Sequence, residues 1–312
     1  MVEKNLTVRS SPHLHSGEST KMIMLDVLIA LIPACIAAVW LFGWRAAALI
    51  VVCVASCMAS EYLSRRVLRR PQTVGDLSAV VTGVLLALNL PSTLPLWQAA
   101  LGGVVAIVVV KQMFGGLGCN FVNPALVGRI VLMMSFATEM NTFPSPWVDG
   151  VTSPTPLAPD AAGAYDLRVL LFGFHGGTIG ETCAVVLLLG FAYLLWRRII
   201  TPTIPLVFVG TVFVLSWIVD GGVYEATYQI LSGGLLLGAI FMATDYVTSP
   251  VTPLGKVIFA FGCGALTVLI RHGGALNEGV SFAIVVMNIL VPLIEKATYR
   301  LPFGQKRGGK HA

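Results

Sequence analysis

Charge is what this sequence has least of: 11% of its 312 residues are Asp, Glu, Lys or Arg, where soluble domains carry roughly a quarter. So thin a charged surface excludes an ordinary soluble domain and leaves a polytopic membrane protein. A net charge of +5 and a pI of about 9.0 do not point to nucleic acid, because no basic stripe or stacking motif is present. The basic residues sit in clusters beside apolar runs, where they set orientation and meet anionic lipid. The six cysteines form no C-x-x-C pair, which argues against zinc or iron–sulfur ligation by this chain alone. Five of them lie in or at the ends of apolar runs, where Cys behaves as a small apolar residue, and only Cys119, in a Gly-rich stretch, stands apart. Nor does any G-x-G-x-x-G follow a strand-like run, so no nicotinamide site is expected here.

What is abundant is apolar length. Hydrophobic residues make up 56% of the chain and the mean hydropathy is +0.84. A spanning helix needs about 20 apolar residues, and about ten stretches qualify: 24–43, 45–64, 76–90, 96–112, 122–138, 179–196, 200–219, 226–243, 254–271 and 279–295. The third, fifth, eighth and tenth are short or flanked by Gly and Pro. Broken backbone of that kind is tolerated only where it is buried or lines a cavity. With both ends on the inner side, most of the 20 Lys and Arg residues fall on that side, Lys111 among them, as the positive-inside rule requires. Arg45, Arg168 and Arg271 fall outside, and Arg129 lies within a span. The polar first 20 residues followed by a full-length apolar run predict no cleavable signal peptide. The expected division is an N-terminal segment 1–22, a membrane unit 23–138, an outer loop 139–178, a second membrane unit 179–296 and a C-terminal tail 297–312.

The outer loop carries the least typical stretch, Asp149-Gly150-Val151-Thr152-Ser153-Pro154-Thr155-Pro156-Leu157-Ala158. Prolines on both sides of Thr155 forbid helix and predict an open loop with an accessible hydroxyl. By itself this reads as a Ser/Thr/Pro-rich connector. The pattern Asp, two residues, Ser or Thr, two small residues, Thr, Pro, Leu nevertheless resembles the flavinylation motif of bacterial redox pumps. These are the D subunit of the Rnf ion-translocating oxidoreductase and the related B subunit of the sodium-pumping NADH:quinone reductase. In both, the residue before the modified threonine is usually Ala; here it is Pro154. Downstream, Thr178 followed by Glu181 is a capping-box pattern at the head of the sixth span, with packing against an outer flavin as the alternative.

Two broken stretches echo each other. Pro95 recurs as Pro253, Gly115 and Gly116 as Gly273 and Gly274, and Val122 as Val280, all at one spacing. Each half then holds an odd number of spans, so the second copy is expected to be inverted, a transporter architecture with its ligand site where the repeats meet. Ionisable groups inside membranes are functional candidates by default. Glu61 and Arg129 lie nearest to spans, and Asp245 and Glu278 fall in the broken stretches. Asn120, Asn123, Thr244, Asp245 and Glu278 make a candidate second flavin or ion site.

The resemblance extends through GGLGCNFVNPAL, TDYVTSP and GGALNEGVSFAI to the last span. It implies an all-α membrane fold of about ten helices in two inverted five-helix repeats, like that of urea transporters. It further implies a subunit of a bacterial inner-membrane translocase, not catalytic alone, that couples electron transfer between NADH and ferredoxin to Na+ or H+ movement. Thr155 on the periplasmic side would bear FMN as a phosphoester, with Asp149, Ser153, Pro154, Pro156 and Leu157 as its recognition context. A second, noncovalent flavin, riboflavin, is implied by the relatives. The implied partners are the other subunits of such a complex, of A, B, C, E and G type, and a flavin transferase. The short lead-in favours the Rnf protein over the quinone-reductase B subunit, which has a longer N-terminal extension. The competing class is a passive urea-transporter-like channel, which has no use for the Thr155 motif.

Overall fold

The computed structural model describes residues 19–147, 153–158, 165–181, 183–273 and 278–299. Within them are thirteen α-helices, two of which run on into π-helical turns, and no strand. Five helices are long and apolar enough to cross a membrane: α1 (Thr20–Phe42), α2 (Trp44–Val67), α9 (Thr203–Asp220), α12 (Pro253–Gly273) and α13 (Val280–Thr298).

Local chemistry sets the ends of these helices. Ser19 Oγ accepts from Met22 N–H at 3.3 Å and opens α1. Gly43, at φ 70°, ends it and lets α2 begin at once. α3 (Ser78–Leu88) starts where Asp76 Oδ1 accepts from Ser78 N–H at 2.8 Å. It is buried along almost its whole length and lies close against α2, because a Cβ on Gly83 would stand 2.7 Å from Val54 Cα. α4 (Leu96–Val104) widens into π-helix over Val105–Gln112, an irregularity often found at functional positions. Asn123 caps α5 (Pro124–Ser135), its Oδ1 accepting from Ala125 N–H at 3.0 Å. The short helices α6 (Ala137–Met140) and α7 (Leu167–Phe172) lie on either side of the segment that carries Thr155. α8 (Ala184–Trp196) packs on α1 through Gly190, where a Cβ would come 2.6 Å from Ala30 O.

The eighth apolar stretch is broken, as its glycines suggest. α10 (Val223–Leu231) stops, Ser232-Gly233-Gly234 turns with Gly233 at φ 68°, and α11 (Leu235–Leu237) leads into π-helix over Gly238–Met242. The third and fifth stretches shorten to α3 and α5. The tenth corrects the expectation: α13 is continuous for 19 residues and absorbs Pro292. The sixth begins late. Residues 178–181 form a turn and α8 starts at Ala184, so the expected capping box caps no helix. That turn does other work: Ile179 N–H donates to Leu90 O at 3.1 Å and Gly180 N–H to Leu88 O at 2.8 Å. Both carbonyls belong to the end of α3, where a helix broken inside a bundle must find substitute donors. Gly180 is required there, since a Cβ would sit 2.8 Å from Leu88 O.

α1 to α5 pack mainly on one another, and α9, α10, α12 and α13 likewise; α5 with α13 joins the two groups, and α8 packs on α1 and touches α11. The end of α3, the α10–α11 break, the start of α13 and the 178–181 turn therefore converge on one place.

Candidate functional site

Thr155 lies above that convergence. It is non-helical, as its prolines demand, but it is only 4% exposed, which corrects the expectation of an accessible hydroxyl. The loop is docked by groups far away in sequence. Tyr165 Oη donates to Pro154 O and Tyr228 Oη to Pro156 O, each at 3.1 Å. Ser153 N–H donates to Phe143 O at 3.0 Å. Gly176 leaves room for Ser153 Oγ, and a Cβ on Gly233 would stand 2.7 Å from Leu157 Cδ1. Thr155 Oγ1 accepts weakly from Leu157 N–H at 3.4 Å. Thus Ser153, Pro154, Pro156 and Leu157 all help to seat Thr155, while Asp149 lies outside the described residues.

Beneath the loop is a cavity of about 20 Å³ lined by Thr155, Arg129, Glu278, Asn141, Phe143, Met133 and Met140, room for about one water. Arg129, in the middle of α5, pairs with Glu278 through Nη2. Its Nη1 donates to Asn89 Oδ1 at 3.1 Å and Ser281 Oγ at 2.9 Å. Arg129 Nε and Glu278 Oε1 are buried and have no partner among the described residues. Next to this pair, Glu181 Oε1 accepts from Thr178 N–H at 3.0 Å while its Oε2 is unpartnered among the described residues. Arg271 Nη1 donates to Gln229 O at 2.6 Å and Nη2 to Ser232 O at 3.0 Å, closing the carbonyl end of α10. Two arginines and two glutamates thus share one buried region. In the sequence Arg129 and Glu278 are separate candidates and Glu181 reads as half of a capping box or as packing for an outer flavin, whereas nothing there picks out Asn89 or Arg271 for this cluster. The signals at those two are the Asn-Leu-Pro end of the third stretch and a basic residue on the wrong side of the charge rule.

His175 packs beside the same loop, 1% exposed, its Nδ1 3.1 Å from Gly176 O and its Nε2 unpartnered among the described residues. Burial pushes its pKa below the ordinary value, against a smaller opposing effect of the Gly176 carbonyl.

A second, larger cavity, of about 90 Å³ against about 20 Å³ for the first, lies at the other end of α3 and has an open mouth. Asn120, Asn123, Thr244 and Asp245 all line it, so the structure brings four of the five second-site candidates together; Glu278 belongs to the Arg129 cluster instead. The walls are mainly apolar, with Val27, Leu85 and Phe241 prominent. Most of its polar side chains are already held. Asn120 Nδ2 donates to Val122 O at 3.2 Å, Asn123 Nδ2 to Met242 O at 3.3 Å and Thr244 Oγ1 to Ile240 O at 2.6 Å. Asp245 Oδ2 accepts from the Thr248 hydroxyl at 3.2 Å. Burial raises its carboxyl above the usual range, against the Val247 N–H and Thr248 hydroxyl.

Lys111 stands at the edge of this cavity and is buried rather than placed at a membrane surface. Its Nζ lies 3.1 and 3.0 Å from the two oxygens of Glu61 and 2.6 Å from Ser78 Oγ. Glu61 also accepts from Gln112 Nε2 at 3.0 Å and Thr73 Oγ1 at 2.8 Å. The π-helical widening presents Lys111 and Gln112 to the same carboxylate. Among the described residues no group of three His, Cys, Asp or Glu could hold a metal ion.

Comparison with known proteins adds the family. A family model described as the NQR2, RnfD, RnfE family matches residues 7–304. The D subunit of the Na+-translocating ferredoxin:NAD+ oxidoreductase complex of Acetobacterium woodii is 45% identical over 320 residues, covering 100% of this chain and 99% of that protein. The D subunit of the proton-translocating ferredoxin:NAD+ oxidoreductase complex of Clostridium ljungdahlii is 40% identical, with 98% of each chain covered. The D subunit of the ion-translocating oxidoreductase complex of Stutzerimonas stutzeri is 38% identical, with 94% of each covered. A match of this length, running from before the first helix to beyond the last, shows that the chain belongs to the NQR2, RnfD, RnfE family.

Proposed function

We propose that this chain is the D-type membrane subunit of an Rnf-type complex that passes electrons between ferredoxin and NADH and couples their flow to Na+ or H+ movement across the bacterial inner membrane. The observation that carries this reading is the end-to-end likeness to relatives named as the D subunits of such complexes. Those two relatives are named for different ions, so neither ion follows from membership. The chain acts with the other subunits of the complex and not alone.

The proposal places both termini in the cytoplasm and the 139–178 loop in the periplasm, supported by the distribution of Lys and Arg. It takes the two membrane units as inverted five-helix repeats on a urea-transporter-like plan. Support comes from Pro95 and Pro253 at the heads of α4 and α12, and from Val122 and Val280 at the heads of α5 and α13.

Thr155 carries FMN in this reading. Forming the ester joins the phosphorus of a flavin dinucleotide to Thr155 Oγ1, breaks the donor's phosphoanhydride bond, and releases the hydroxyl proton and a nucleoside monophosphate. Among the described residues no general base hydrogen-bonds Thr155 Oγ1, so a separate transferase is needed to activate it. When bound, the isoalloxazine supplies the redox chemistry, and the chain positions it. The small cavity cannot take that ring system, which must lie outside it. The fit to a charged ester is better, because Arg129 lines the same cavity as Thr155. The larger cavity suits a planar, mostly apolar ligand ringed by a few polar groups and is the proposed place for riboflavin.

The test is intact-protein mass spectrometry with in-gel flavin fluorescence on the wild type and Thr155→Ala, both co-expressed with a flavin transferase. An FMN phosphoester mass and a fluorescent band, present in the wild type and lost in the variant, are expected. An unmodified wild type overturns the Thr155 assignment and brings the channel reading forward.

A further inference from the structure

We propose that Arg129 is the charge partner of the phosphodiester on Thr155, displacing Glu278, and that this pairing docks the modified loop on the membrane bundle. The inference rests on the reading that Thr155 is flavinylated and goes beyond it to the residue that receives the new charge.

A phosphodiester remains ionised at any physiological pH, and Thr155 is 4% exposed. An anion placed there without a cation is prohibitive in a low-dielectric interior. Among the residues lining the cavity, Arg129 is the sole cation. Its guanidinium can grip a phosphate with two parallel N–H groups, and one donor, Nε, is buried and unpartnered among the described residues. Its present anion, Glu278, meets it through one carboxylate oxygen, and the other, Oε1, has no partner among the described residues. When that carboxylate withdraws, the space it leaves accepts the phosphate group that a cavity of about 20 Å³ does not.

The docked loop also fixes an order of events. Tyr165, Tyr228 and the Phe143 carbonyl hold the backbone on both sides of Thr155. The transferase therefore acts on a lifted loop, and the ester brings the loop down onto Arg129.

The experiment is hydrogen–deuterium exchange of the peptide spanning Ser153–Ala158, in the assembled complex co-expressed with the transferase, with intact mass recorded for every sample. The variants are Thr155→Val, the charge-neutral pair Arg129→Gln with Glu278→Gln, and all three changes together. In modified wild type the segment should exchange slowly. Thr155→Val should exchange about tenfold faster, and the Arg129/Glu278 double variant should do the same despite its full FMN mass. In the Thr155→Val background the double change should add nothing. Wild-type protection in the fully modified double variant overturns the proposal, as does equal loosening with and without the ester, which would make Arg129 a scaffold only. If the double variant does not accumulate, Glu278→Gln alone decides: exchange no faster than wild type is expected, and exchange about tenfold faster would show that Glu278 holds the loop. A wild type lacking FMN mass sinks the Thr155 reading and this inference with it; full mass with unchanged exchange sinks this inference alone.

Discussion

Arg129 Nη1 donates to Asn89 Oδ1 at 3.1 Å, tying the middle of α5 to the residue at which α3 stops. Asn89 uses its other end as well, Nδ2 donating to Leu85 O at 2.7 Å in the last turn of α3. One side chain thus satisfies a broken helix and orients the buried guanidinium. Asn89→Leu keeps the volume but strands both groups, and is expected to cost about 1–3 kcal/mol. Thermal unfolding in detergent would read this as a fall in Tm, and an unchanged Tm would show that water replaces the amide.

Glu61 and Lys111 give a sharper prediction. Lys111→Met leaves Glu61 as a buried carboxylate with only Gln112 and Thr73 to donate to it. Removing one partner of a buried pair costs about 3–5 kcal/mol, whereas replacing both with apolar groups is often neutral. Lys111→Met should therefore lose most folded protein on fluorescence-detected size exclusion after heating, and adding Glu61→Met should recover it. Failure of the double variant to recover would mean that the pair fixes the π-helical geometry and not merely charge balance.

The long helices were legible because apolar length alone announces them: α1, α2, α9 and α12 lie within a few residues of where hydropathy puts them. That the eighth stretch is irregular was legible too, from its shortness and its flanking Gly and Pro, but not the place of its break at Gly233-Gly234. Two further features were not. Lys111 sits at the end of a stretch and reads as a loop cation, yet its partner Glu61 is fifty positions away, and no local pattern pairs them. Thr178 and Glu181 satisfy a capping pattern so well that the pattern hid what their turn does, donating backbone N–H groups to the end of α3. The local half of the box is present and the helix is not. Likewise the prolines around Thr155 determine its backbone, while its burial depends on Tyr165, Tyr228 and Gly176, which the sequence does not connect to it.

Gly233 tests that docking from the side of the bundle. Its φ of 68° disfavours any L side chain, and a Cβ there would lie 2.7 Å from Leu157 Cδ1. Gly233→Ala should cost about 1–2 kcal/mol for the backbone alone and push Leu157 off its seat. Faster deuterium exchange at residues 153–158, with exchange in α2 unchanged, is the expected signature.

The larger cavity can be filled from its rim. Val247 lines it from the turn after the π-helical segment, away from the packed helices. On the proposal that riboflavin sits there and FMN on Thr155, Val247→Trp should abolish the flavin released by denaturing extraction while leaving the covalent flavin in place. Loss of both flavins would indicate a misfolded chain, and retention of the released flavin would place its site elsewhere.

His175 makes the region around Thr155 sensitive to acid, and the sign follows from its burial. The folded protein favours the neutral imidazole, so its pKa lies below the ordinary value of 6.5. The unfolded chain takes up a proton as the pH falls through that value, and the folded chain does not. Stability is therefore complete above about 6.5 and declines below it, by up to about 1.4 kcal/mol for each pH unit until the folded histidine also protonates. His175→Gln removes the titrating group. The difference in Tm between wild type and His175→Gln, measured from about pH 8 down to about pH 5, should be flat at the high end and shift against the wild type below about pH 6.5. A difference that stays constant over the whole range would mean that His175 takes its proton as readily in the fold as outside it, through a partner for Nε2.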